Sequence, residues 1–199
     1  MDKRIEDVLE AYHQRIAAEH ELPFDAASID QRLLPVGPDT GRLINIIARS
    51  YSAPTILEIG TSYGYSGIWL AEAARATGGR LITLELQDYK SAYAREMSAK
   101  AGLADHVDFR VGDALELIAA LEGKVDFVLL DLWKDLYTPC LELFYPKLNP
   151  GAVIVADNMT FPGGEEVARY GRAVRAKPGI SSVLLPVGSG LEVSRYDPA

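Results

Sequence analysis

The chain has 199 residues, enough for one domain of ordinary size. Its 28 Asp and Glu against 20 Lys and Arg give a net charge of −8, a field that repels a large polyanion such as DNA. At 48% hydrophobic and 24% charged the composition is that of a folded globular chain, and a single cysteine, Cys140, excludes an internal disulfide framework and a multi-cysteine zinc site.

The opening residues MDKRIEDVLEAY are charged and amphipathic, unlike a signal peptide. Ile5, Val8, Leu9, Tyr12 and Ile16 recur at helical spacing and predict a first helix. Breaks follow near Pro23 and at LLPVGP (33–38), and Pro38, Asp39 and Thr40 suit the first turn of a second helix carrying Leu43, Ile44 and Ile47 on one face. From Pro54 onward short apolar runs alternate with helical stretches. The runs are TILEIG (55–60), RLITLE (80–85), VDFRV (107–111), VDFVLLD (125–131) and AVIVAD (152–157). Helices are predicted over 66–76, 88–102, 114–123, 135–147 and 165–175. SSVLL (181–185) and LEVSRY (191–196) lie five residues apart, a gap that suits a β-hairpin.

Five strands separated by helices predict an α/β fold with a parallel sheet covered on both faces, closed at one end by an antiparallel pair. No apolar run approaches the ~20 residues of a membrane-spanning helix, so the expected location is the cytoplasm, with no membrane partner.

Ligands of open parallel sheets bind beyond the carboxyl ends of the strands. After the first strand comes Glu58-Ile-Gly60-Thr-Ser-Tyr-Gly64-Tyr-Ser66-Gly67, a glycine-rich turn running into a helix start that offers free N–H groups to an anion. Its spacing, G-x-x-x-G-x-x-G, is not the pyrophosphate fingerprint, and it reads either as a ligand loop or as a structural turn. Glu85 ends the second strand, where a carboxylate accepts both hydroxyls of a ribose, and Asp113 follows the third, placed for an adenine amino group. A nucleoside without phosphates fits this set. S-adenosylmethionine has that form, with its carboxylate near Ser66.

Asp131 and the pair Asp157-Asn158 follow the fourth and fifth strands. If these strands are neighbours, three oxygen-bearing side chains converge, a donor set for Mg²⁺ or Ca²⁺ rather than zinc. Acids at strand ends also cap helices or face solvent, as expected of Asp135. Asp131 and Asp157 differ in ending strongly apolar runs, where an unpaired carboxylate is costly. Lys134 reaches the same pocket as a general base or as the partner of a salt bridge, and Trp133 either lies along an adenine or packs. His13, His20 and His106 share no strand end and read as surface or core residues, Cys140 as a small buried hydrophobe.

LEIGTSYGYSGIWLAEAA, TLELQDY, LLDLWKDLYTPC and VIVADNMTFPG together resemble the metal-dependent class I S-adenosylmethionine O-methyltransferases, most closely the catechol O-methyltransferases. The resemblance runs over 36–196. It implies one Rossmann-like methyltransferase domain over 1–199, with a helical cap (1–50) and a cofactor- and metal-binding core (51–199). The implied sheet order is 3-2-1-4-5-7-6 with the last strand antiparallel. By position, Lys134 matches the family's general base; Asp131, Asp157 and Asn158 its magnesium ligands; and Val36, Glu58, Gly60, Ser66, Glu85 and Trp133 its cofactor contacts, with Asp131 beside the same nucleotide. Asp113 matches the acid that bacterial members use at the adenine.

Two departures stand out. Leu132 occupies the place of a histidine in the animal enzymes, and the segment around Val183 offers no acid for the acceptor's second hydroxyl, Glu192 being out of register. The implied activity is methylation of one hydroxyl of a small aromatic diol. A hydroxylated tRNA nucleoside as acceptor and a non-catalytic cofactor-binding scaffold are the rival readings; the acidic charge opposes the first and Lys134 the second. The apolar stripe of the first helix permits a homodimer or packing on the chain's own sheet.

Overall fold

The computed structural model describes residues 1–21 and 26–198. The break expected at Pro23 lies outside the described residues, as does the side chain of His20. Seven strands, β1 (Thr55–Ile59), β2 (Arg80–Glu85), β3 (Val107–Val111), β4 (Val125–Leu130), β5 (Leu148–Ala156), β6 (Ile180–Leu185) and β7 (Leu191–Tyr196), form one sheet in the order β3-β2-β1-β4-β5-β7-β6. The first five run parallel, and β7 pairs antiparallel with both β5 and β6. The order implied by the resemblance is the order observed.

Strand alternation builds two cores. Ile56, Leu81, Phe127, Leu129, Val153 and Val155 pack on one face, and Leu57, Ile59, Ile82, Leu84, Val128, Leu130 and Ile154 on the other. The first face is covered by α1 (Lys3–His20), α2 (Pro38–Ala48), α3 (Tyr65–Thr77) and α4 (Asp88–Lys100). The second is covered by α5 (Ala114–Ala119), α6 (Tyr137–Phe144) and α7 (Glu165–Arg175). Ile5, Val8, Leu9 and Tyr12 are all buried, so the apolar stripe of α1 packs on its own chain. Among the described residues no helix is long and apolar enough to cross a membrane.

Two elements differ from expectation. β5 begins at Leu148 rather than at 152, because Val125 pairs with Leu148 across an irregularity in register and Gly151 (φ 85°) bends the chain without breaking the strand. The expected helix over 135–147 is a short α-helix flanked by single 3₁₀ turns, Lys134–Leu136 and Tyr145–Lys147. Pro139 sits in the first turn of α6, where a missing N–H costs nothing. Asp135, expected to cap this helix or to face solvent, lies exposed in the preceding turn.

Candidate active site

Parallel pairing brings the strand ends to one edge of the sheet. Leu130 and Ala156 are the last partners of β4 and β5, so Asp131 and Asp157 emerge side by side. The Asp131 N–H donates to the Ile59 carbonyl (3.0 Å) and the Asp157 N–H to that of Leu130 (3.1 Å), which carries the sheet bonding one residue beyond each strand. Asn158 then turns into the left-handed region (φ 59°), and its own N–H donates to Asp157 Oδ1 at 2.7 Å.

Lys134 is the cation at this point. Its Nζ donates to Asn158 Oδ1 (2.6 Å), the Tyr137 hydroxyl (2.9 Å) and Asp131 Oδ1 (3.2 Å), three acceptors for the three protons of an ammonium. Tyr137, fully buried, donates its hydroxyl hydrogen bond to the Asp157 carbonyl at 3.0 Å. Burial raises the Asp131 carboxyl above its ordinary value, opposed by Lys134; burial and the nearby Asp131 charge push Asp157 up to about 7. Two crowded carboxylates and an amide oxygen that share one lysine are an oxygen donor set short of positive charge, and they fit a hard divalent cation. Among the described residues no group of three His, Cys, Asp or Glu side chains gathers as a metal site; the set here is two carboxylates and one amide.

The glycine turn abuts this cluster. Gly60 has φ 107°, and a Cβ there would lie 2.0 Å from the Asp131 carbonyl oxygen, so only glycine lets the turns after β1 and β4 meet. Glu85, half-buried at the tip of β2, accepts from the N–H groups of Ser62 (2.7 Å) and Gln87 (3.0 Å), which hold its carboxylate beside the turn. Glu58 lies below, fully buried, with Oε2 accepting from the Thr83 hydroxyl and Oε1 without a hydrogen-bond partner. Burial pushes Glu58 up to about 7 against the opposing hydroxyls of Ser66 and Thr83. Glu58 is thus a carboxyl closed under the glycine turn, with the Thr83 and Ser66 hydroxyls as its polar neighbours.

The remaining residues named from sequence fall around these. Val36 is buried, its carbonyl beside the hairpin loop at Gly188. Asp113 is exposed and caps α5, Oδ1 accepting from Leu115 N–H (2.8 Å) and Glu116 N–H (3.1 Å). Trp133 is 56% exposed and Phe161 74%, two large apolar surfaces on the loops that carry Lys134 and Asn158. The N–H groups of Thr160 and Phe161 both donate to Ser189, tying the loop after β5 to the β6–β7 hairpin.

Glu192 pairs across from Ala156, yet it points into the α7 face: Arg175 grips it with Nε at 2.8 Å and Nη2 at 2.6 Å, and Ser182 donates to it. Val183 sits mid-strand in the edge strand β6, opposite Val193. His13 is half-buried against the Tyr65 hydroxyl (3.0 Å), and burial pushes the Cys140 thiol up to about 12, leaving it inert. Sequence reasoning assigned no role to Tyr137 or Thr83. The signal for Tyr137 was its place three residues after Lys134; that for Thr83 was a polar residue at a core position of β2.

A seven-stranded sheet with an antiparallel final strand and polar residues clustered at the tips of β1, β2, β4 and β5 defines a Rossmann-like methyltransferase. Comparison with known proteins agrees. Residues 57–159 match the family model described as a methyltransferase domain. A catechol O-methyltransferase of Niastella koreensis is 31% identical over 82% of this chain and 79% of its own length. The catechol O-methyltransferase of Mus musculus is 34% identical over 69% of this chain, which spans 54% of that protein. The O-methyltransferase TomG of Streptomyces achromogenes, solved in complex with S-adenosylmethionine, superposes with a TM-score of 0.80 at 26% identity, over 99% of this chain and 91% of that one. The chain belongs to the class I S-adenosylmethionine-dependent O-methyltransferases, close to the catechol O-methyltransferases.

Proposed function

We propose that the protein transfers a methyl group from S-adenosylmethionine to one hydroxyl of a small aromatic diol of the catechol type, in the cytoplasm and with a divalent cation, Mg²⁺ in the first place. The observation that carries this is Lys134 Nζ held among Asp131, Asn158 and Tyr137 at the sheet edge beside the glycine turn.

Glu85 binds the ribose hydroxyls, Asp113 faces the adenine, and Ser66 with the start of α3 receives the methionine carboxylate. Glu58, buried beneath the turn, adds negative charge under the amino group. Trp133 and Val36 flank the nucleoside. Asp131, Asp157 and Asn158 hold the cation, which supplies Lewis acidity that lowers the cost of forming a phenolate. Bound S-adenosylmethionine supplies a methyl group activated on a sulfonium.

As a neutral amine, formed when the ammonium gives up one of its three protons to solvent on cation binding, Lys134 takes the proton of the attacking hydroxyl, whose free pKa is about 10 like that of tyrosine. Trp133 and Phe161 give apolar walls that exclude water from the approach of oxygen to carbon, and fixed alignment does the rest. The segment around Val183 offers no carboxylate to the acceptor's second hydroxyl, so that hydroxyl would be placed at the cation held by Asp131, Asp157 and Asn158.

The test is to incubate the protein with S-adenosylmethionine, Mg²⁺ and a panel of catechols, caffeoyl esters and hydroxylated nucleosides, following S-adenosylhomocysteine by mass spectrometry. Turnover on a diol that chelator abolishes supports the reading. Equal turnover in chelator would end the metal part of it, and turnover on nucleosides alone would replace the acceptor.

A further inference from the structure

The turn that precedes α3 is gripped from α1. Tyr12 is fully buried, and its hydroxyl donates to the Tyr63 carbonyl at 2.6 Å. That carbonyl belongs to the peptide joining Tyr63 to Gly64, and Gly64, left-handed at φ 90°, is the residue from which α3 starts. A Cβ at Gly64 would lie 2.7 Å from Ala94 Cβ and 3.3 Å from the Tyr12 hydroxyl oxygen, so α1, α4 and the turn meet with no spare volume.

The same turn carries Ser62, itself left-handed at φ 46°, whose N–H orients the Glu85 carboxylate. Other residues of α1 hold the residues on either side of Gly64. The Arg15 guanidinium lies 4.4 Å over the Tyr63 ring, and His13 bonds the Tyr65 hydroxyl at 3.0 Å. The Tyr65 and Tyr93 rings stand edge-on to Tyr12 at 5.7 and 6.2 Å. Packing alone would be served by phenylalanine at this buried position. A hydroxyl there must spend its proton on a fixed acceptor, and the acceptor chosen is a carbonyl of the turn.

We propose that Tyr12 is a positioning residue of the cofactor site: through the Tyr63 carbonyl it holds the 60–64 turn in the conformation that orients Glu85 and starts α3, and so couples α1 to cofactor binding. The proposal rests on the cofactor assignment made above. Coupling is reciprocal, so bound cofactor must in turn steady α1.

The experiment uses the full chain and S-adenosylhomocysteine as probe. Tyr12→Phe keeps the ring and removes one oxygen. Its Kd for the probe, by calorimetry, is expected to rise about tenfold. Val8→Ala is the control for a merely structural role: it removes core contact from the same helix, lowers the melting temperature and leaves the Kd unchanged. Glu85→Ala tests the cofactor site itself and weakens binding at least as much as Tyr12→Phe.

Unchanged affinity in Tyr12→Phe alongside weakened binding in Glu85→Ala overturns the role of Tyr12 alone. Equal weakening in Val8→Ala and Tyr12→Phe overturns it too, as a general loosening of α1. Wild-type affinity in Glu85→Ala overturns the site assignment and the proposal with it. Hydrogen exchange of the unaltered protein needs no variant: the probe slows exchange of the α1 amides around Tyr12, and identical exchange with and without it overturns the coupling.

Discussion

Lys134 Nζ lies 2.6 Å from Asn158 Oδ1, so a side chain from the turn after β4 and one from the turn after β5 hold the same point at the edge of the sheet. The same ammonium touches Asp131, and Tyr137 links it to the Asp157 carbonyl. The lysine is therefore both the proposed base and the counter-ion of the proposed metal ligands.

Lys134→Ala removes both roles. Turnover on the best acceptor is expected to fall by roughly 10² to 10⁴, the usual worth of a positioned acid or base. Without the competing ammonium, Mn²⁺ used as a probe is expected to bind several-fold more tightly, measured by electron paramagnetic resonance. Weaker Mn²⁺ binding would show that the lysine organises the ligands rather than competing with the ion.

Glu58 predicts a pH dependence of stability. Its folded value of about 7 stands above the ordinary 4.5, so between those values the folded chain holds the proton more often than the unfolded one. Unfolding free energy therefore falls as pH rises from about 4.5 to about 7, by on the order of 3 kcal/mol if this group acts alone. Glu58→Gln is expected to flatten that slope in urea titrations of ligand-free protein, and an unaltered slope would assign the dependence to other groups.

Gly60→Ala places a Cβ against the Asp131 carbonyl at a left-handed φ. Strain and overpacking together are expected to cost roughly 3 kcal/mol or more of stability. Any folded fraction should also bind Mn²⁺ poorly, because the displaced carbonyl belongs to a proposed ligand. A melting temperature within a degree of wild type would contradict the close approach.

Arg175→Ala separates stability from the site. Glu192 is fully buried while the Arg175 side chain is 51% exposed, so solvent tempers the loss of the pair. We expect roughly 2 kcal/mol of destabilisation by chemical denaturation, below the usual cost of breaking a fully buried pair. S-adenosylhomocysteine affinity should stay at the wild-type value, since this carboxylate points into the α7 face.

Much of this was written locally. Each core strand is a run of apolar residues, and the acids that matter at Glu85, Asp131 and Asp157 end such runs, so a strand-tip reading finds them without coordinates. The five-residue gap before LEVSRY announced the antiparallel end of the sheet. Carboxylate partners were less legible. Glu58 and Glu192 both sit within strands among apolar neighbours, yet one keeps an unpartnered oxygen under the glycine turn and the other is closed by an arginine seventeen positions away. Asp113 likewise caps its own helix, a use its neighbours Leu115 and Glu116 did not declare.

By itself, the sequence determined the alternation of strands and helices, the residues at the strand tips and the family they belong to, because apolar periodicity and turn chemistry act over a few residues. The tertiary structure alone decided that Lys134 spends its three protons on Asp131, Asn158 and Tyr137, that β5 starts early across an irregular register, and that Tyr12 reaches the turn at Tyr63. Those contacts depend on how separate segments pack, and packing is fixed by the volume and polarity of everything buried at once, which no local window contains.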